Sequence, residues 1–172
     1  MASLMENLID VLYKEVDEYE TLLGLSMKKT PVIVANNVTE LKKITDEEQE
    51  VVVRIQSLDK ERMSVTKDIA NVLNKDVEKM KISDVIEVLN KRPEEQKKLK
   101  DAQRKLIDLA RRLQRVNVQN SMLIEQALEL VGYEINMYQA MKRAPETANY
   151  NRGAYNTGMS YGAPNRGFDA KQ

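Results

Sequence analysis

The sequence predicts an all-α protein: an elongated antiparallel helical bundle or coiled coil of three main helices plus a short helix, with a disordered C-terminal tail. Three observations carry that expectation. Apolar residues recur at alternating steps of three and four through most of the chain, the spacing that lines one face of a helix. Hydrophobic residues make up 42% of the chain but aromatics only 5%, with no Trp, which suits long amphipathic helices better than a thick globular core. Composition then changes at Pro145, beyond which lie four of the six glycines and the single Phe.

From Ser3 to about Lys29 the inward positions read Leu4, Leu8, Leu12, Val16, Tyr19, Leu23 and Met27. Pro31 should end or kink this helix, because it removes a donor and disfavours helical geometry at Thr30. A short continuation to about Ala35 is compatible with the pattern. Asn36-Asn37 then reads as a turn, with Asn37 and Glu40 spaced for a capping box. The second helix, Val38 to about Leu73, has a seam of Leu41, Ile44, Glu48, Val51, Ile55, Leu58, Arg62, Val65, Ile69 and Val72. Asn71 and Asn74 suggest its end. A short helix is expected from Ser83, a good N-cap residue, to Asn90.

Pro93 opens the longest segment, to about Arg143, with proline suited to the first turn. Its seam is Leu99, Ala102, Leu106, Leu109, Leu113, Val116, Asn120, Leu123, Ala127, Leu130 and Met137. About fifty residues at 1.5 Å each would span roughly 75 Å, which requires packing partners. The organisation expected is therefore a helical bundle over residues 1–144 and a Tyr/Asn/Gly-rich tail over 145–172, with too little aliphatic surface to offset the entropy of ordering.

Composition also excludes chemistry. No Cys and no His are present, which removes disulfides, Cys or His zinc sites and the usual Cys/His or Ser/His nucleophiles. Lys plus Arg equals Asp plus Glu at 27 each, so net charge makes no case for nucleic acid. A tail-based single-strand binder would have only Arg152, Arg166 and Lys171 as cations. The start, MASLMENLID, has no long apolar core, and the longest fully apolar run, around Val32 to Ala35, is far too short to span a bilayer. The expectation is a cytoplasmic protein with no catalytic site, metal or cofactor and no membrane insertion.

Polar residues in the seams are the informative exceptions. Glu48 and Arg62 lie on one face of the second helix but about 21 Å apart, so they cannot pair with each other. Each needs a partner on a neighbouring helix, where a seam polar residue sets register and orientation. Asn120, together with the nearby Asn117, invites the same reading, since an unpaired buried amide costs about 1–3 kcal/mol. A second reading sets both asparagines at the inner edge of an open groove. After Asn120 the apolar face broadens to Leu123, Ile124, Ala127, Leu128, Leu130, Val131, Ile135, Met137, Tyr138 and Met141. A wide Met- and Leu-rich face serves as core against the first helix or as a groove for an amphipathic partner helix.

Three stretches in order resemble the FlgN-type flagellar export chaperones. The first has Glu15, Tyr19 and Leu22-Leu23 followed by Lys28-Lys29. The second is EEQEVVVRIQSLDKERMSV from Glu47 to Val65, with Glu48, Gln49 and Arg62 aligned. The third is NVQNSMLIEQAL, an Asn-x-x-Asn followed by leucines. Pro31 departs from that family's pattern, and the Tyr/Asn/Gly tail does not map onto a general motif of it. The resemblance implies a cytoplasmic, non-catalytic chaperone of flagellar type III secretion. It would bind the C-terminal helical segments of hook-filament junction proteins, prevent premature assembly and deliver them to export apparatus components. On that reading Leu123 to Met141 form the client groove with Asn117 and Asn120 at its inner edge, and an empty groove favours weak self-association. The rivals are a permanent coiled-coil scaffold and another helical export factor with a different client.

Overall fold

The computed structural model describes residues 3–143 in full, and Ala2 and residues 144–160 as backbone alone. Four α-helices follow in order: α1 (Ala2–Val34), α2 (Val38–Val72), α3 (Ile82–Val88) and α4 (Pro93–Ser160), with a 3-10 turn at Leu89–Lys91 leading into α4. No strand occurs among the described residues, so the all-α bundle expected from the sequence is what forms. The chain divides into two compact units, Met1–Ala127 and Leu128–Gln172.

In the first unit α1 is the central helix. Met5, Leu8, Ile9, Leu12, Val16, Leu22, Leu23 and Leu25 are all buried, on a face too broad for a single neighbour. One cluster joins Leu8 and Leu12 to Val65 and Ile69 of α2, Val85 of α3, and Leu99 and Ala102 of α4. Another joins Val16 and Leu23 to Leu109, and a third joins Leu22 and Leu25 to Ile44 and Val51. Residues early in α1 thus meet late residues of α2 and early residues of α4, so α2 runs antiparallel to α1 while α4 follows α1's direction. Each fully buried Leu or Ile contributes about 1.5–3 kcal/mol relative to exposure.

Both long-helix turns are closed by asparagine. Asn36 (φ 53°) and Asn74 (φ 50°) adopt left-handed conformations, which Asn tolerates better than most residues. After α1 the Asn37 N–H donates to Val32 C=O at 3.1 Å and that of Asn36 to Ile33 at 3.0 Å. After α2 the Lys75 N–H donates to Ala70 C=O at 2.9 Å and that of Asn74 to Asn71 at 3.2 Å. These are paired Schellman closures that satisfy the last helical carbonyls. The α2 start is capped as its sequence suggests, the Asn37 side chain accepting the Glu40 N–H at 3.1 Å.

Several local expectations change. Pro31 lies inside α1 and does not end it. It sits in the last turn, where it removes only the bond to Met27 C=O, and the Ala35 N–H still reaches Pro31 C=O at 3.0 Å. Met27 and Val72, assigned inward, are half exposed, because Ser26 takes the inward slot on α1 and Ile69 and Ala70 close the end of α2. Ser83 is not the N-cap of α3: the helix begins one residue earlier, at Ile82, where the Asp84 carboxylate accepts the Lys81 N–H at 2.8 Å. Helix α4 is assigned through Ser160, past Pro145, although a proline there bends a helix as readily as it ends one. The tail expected over 145–172 lies outside the residues described in full.

Leu8→Ala should destabilise the protein by about 2–5 kcal/mol in urea unfolding, because Leu8 is fully buried where all the helices of the first unit meet. Asn36→Val should cost about 1 kcal/mol or more through the left-handed closure alone, with the core untouched.

Candidate functional site

Every polar residue in the seams of the first unit is bonded across to α1. Arg62 reaches Glu15, its Nε donating to Glu15 Oε1 at 3.0 Å, and its guanidinium also bonds Asp59 one turn back on α2. Glu15 is 4% exposed. Burial pushes its carboxyl above the ordinary value of 4.5, opposed by the charge and hydrogen bond of Arg62. Burial works against the Arg62 charge too, yet the charge of Glu15 and the hydrogen bonds the guanidinium donates to Asp59 and Glu15 outweigh it and hold it protonated.

Fourteen residues earlier on α2, Glu48 accepts from the Ser26 hydroxyl at 2.7 Å through one oxygen and from Lys29 Nζ at 2.7 Å through the other. Asn120 of α4 meets the same turn of α1. Its Nδ2 donates to Ser26 C=O at 2.8 Å, and its Oδ1 accepts from the Thr30 hydroxyl at 2.7 Å. Ser26, 1% exposed, therefore bonds α2 through its hydroxyl and α4 through its carbonyl. A larger residue in this slot would push the helices apart. Sequence reasoning identified Glu48, Arg62 and Asn120 but not their α1 partners Glu15, Ser26, Lys29 and Thr30. The available signal was Ser26, which falls three residues after Leu23 in an inward slot.

Around this node lies a groove of about 350 Å³ whose lining includes Lys29, Glu48, Gln49, Asn117, Ser121 and Ile124. Asn117 and Ile124 are thus brought beside Asn120, but Asn117 is exposed where Asn120 is 3% exposed. Leu123, Ile124 and Ala127 are half-buried at the end of the unit.

In the second unit the remaining residues of the broad face are all exposed: Leu128 (66%), Leu130, Val131, Ile135, Met137, Tyr138 (61%) and Met141 (65%). Helical spacing sorts them into two adjacent rows, Leu128–Val131–Ile135–Tyr138 and Leu130–Met137–Met141. Tyr133 is exposed beside them and was not singled out from the sequence. Lys142 Nζ stands 4.8 Å from the Tyr138 ring centre, a cation at the edge of the apolar rows. Such an arrangement can bury apolar surface against a second helix and orient it by charge.

Among the described residues no group of His, Cys, Asp and Glu could hold a metal ion. No described helix is long and apolar enough to cross a membrane. A family model described as FlgN protein matches residues 1–157. No curated protein and no solved structure matches the chain.

Asn120→Ala should cost about 1–3 kcal/mol of unfolding free energy, because it strips the Thr30 hydroxyl of its acceptor and opens a polar cavity. For Glu15, a raised folded pKa means that the folded state binds the proton more tightly, so its contribution is most favourable below 4.5 and falls as pH rises through the folded value. Urea melts of wild type and Glu15→Gln from about pH 4 to 8 should show the difference moving in the variant's favour with rising pH, then levelling off.

Proposed function

Because the chain belongs to the FlgN family, whose members are chaperones of flagellar protein export, we propose that it binds hook-filament junction proteins in the cytoplasm and delivers them to the export apparatus. The observation that carries this reading is the exposed double row between Leu128 and Met141. Contiguous apolar surface of that extent on a water-facing helix marks an interaction site. Its residues are those that accept an amphipathic helix: Leu and Ile for area, Met for tolerance of an imprecise fit, Tyr for a rigid face with a polar end.

The client's C-terminal helical segment would lie along these rows. Asn120 contributes indirectly, since its amide is already committed to α1. Covering the client's assembly surface prevents premature polymerisation by mass action, without chemistry of the chaperone's own. Release then needs only a competing surface at the export apparatus. The same exposed rows give a driving force for weak self-association when no client is bound.

Leu130→Glu with Met137→Glu should abolish saturable binding of a junction protein's C-terminal segment in calorimetric titration, a loss of about a hundredfold or more, with helicity by circular dichroism unchanged. Wild-type binding should carry a negative heat-capacity change. Unchanged affinity in the double variant, or no binding by wild type, would overturn the reading in favour of a permanent scaffold.

A further inference from the structure

A second surface lies wholly in the first unit and shares no residue with the rows assigned to the client. Three depressions of about 730, 300 and 480 Å³ adjoin along one side of α4. The first two share Arg62, Ile82 and Gln103, and the last two share Tyr19 and Ala110, so they form one continuous groove. Its α4 wall runs from Gln103 to Ser121, about 27 Å of helix. Its apolar residues include Ile82, Ile107 and Val118, of which Ile107 and Val118 are half exposed with no core role.

The groove has a charged rim that the chain's overall neutrality hides. Between Lys97 and Arg115, α4 carries eight cations against only Asp101 and Asp108. Helical spacing places Lys100, Arg104, Arg111 and Arg115 three or four residues from the lining positions Gln103, Ile107 and Val118, so they border the groove. Of these four only Arg104 is in an ion pair among the described residues, with Asp101 on its own helix at 3.3 Å. At the far end Lys67 and Lys81 face Glu78, while the buried Glu15 is taken by Arg62.

We propose that this groove docks an acidic amphipathic helix of a partner protein, its apolar stripe on Ile82, Ile107 and Val118 and its carboxylates against Lys100, Arg104, Arg111 and Arg115. A length of about 27 Å holds roughly 18 helical residues. Apolar residues strung along a groove and bordered by cations fit a helix laid lengthwise, with apolar and acidic faces side by side. Single-stranded nucleic acid needs stacking platforms, and the only aromatic lining the groove is the half-buried Tyr19. The proposal does not depend on the client reading, since no residue of the second unit enters it.

The test uses the full chain and a fluorescein-labelled designed helix of about 18 residues, with Leu at successive i, i+3 and i+4 positions and Glu on both flanks. A Lys-flanked version and phosphatidylserine vesicles serve as alternative probes. Expected are saturable anisotropy changes with the Glu helix alone, weakened about tenfold or more by Arg111→Glu with Arg115→Glu and by added salt. Val118→Glu should weaken it as well, while Leu130→Glu with Met137→Glu should leave it intact. All the substituted positions are exposed, and unchanged circular dichroism confirms the fold. Equal binding of both peptides, indifference to the Arg reversal, binding to vesicles alone, or no binding at all would each overturn the proposal. Loss of binding only in the Leu130/Met137 variant would overturn it too, because the peptide would then occupy the client face.

Discussion

Ser26 is the residue on which the alignment of the first unit depends. Its hydroxyl holds Glu48 of α2 and its carbonyl holds Asn120 of α4, so one turn of the central helix fixes two neighbours at once. Apolar seams do not supply that precision. Leucines a turn apart are nearly interchangeable, and sliding one helix by a turn of about 5.4 Å would re-pair many of them. The same slip would strand the buried Asn120 amide, at about 1–3 kcal/mol, and break the part-buried bonds of Glu48, Lys29 and Thr30. The Arg62–Glu15 pair repeats the device further along α2. Such pairs add little net stability over apolar replacements, but they penalise misalignment.

That constraint explains what the sequence revealed and what it concealed. The helices were legible because Leu, Ile and Val recur at helical spacing, and their turns because Asn36 and Asn74 can take left-handed geometry at little cost. Glu48, Arg62 and Asn120 were legible as exceptions for the same reason: a polar residue in an apolar register stands out. Their partners did not, since Glu15, Lys29 and Thr30 look like ordinary surface residues until a neighbouring helix covers them. Pro31 misled because the cost of a proline depends on where in the helix it falls, and one in the last turn forfeits a single bond.

The broad face after Asn120 marks the limit of periodicity as a guide. Leu99, Leu109, Leu130 and Met137 occupy equivalent slots in one pattern, yet the first two are buried and the last two exposed. Spacing reports that a surface should be covered and cannot say by what. The cationic edge of α4 was hidden differently. Equal totals of acid and base describe the chain as a whole; the eight cations crowded into nineteen residues of α4 gain meaning only from the path of that helix beside the groove.

Polar pins and apolar rows serve opposite needs, and their distribution matches a protein that must grip without committing. A buried hydrogen bond is directional and punishes displacement, which suits a scaffold that has to present its surfaces in one geometry. Were the proposed client face built the same way, each client would need matching donors and acceptors, and release would expose unpaired groups at every step. The rows between Leu128 and Met141 are themselves apolar but for the Tyr138 hydroxyl; Glu129, Glu134, Asn136, Gln139 and Lys142 lie between or beside them. Apolar contacts weaken gradually as a helix slides or peels away, and Met adapts its shape at each stage. Directional bonds that pin the first unit and yielding apolar rows in the second are therefore what the proposed carrier needs in order to hold a helix firmly and still hand it on.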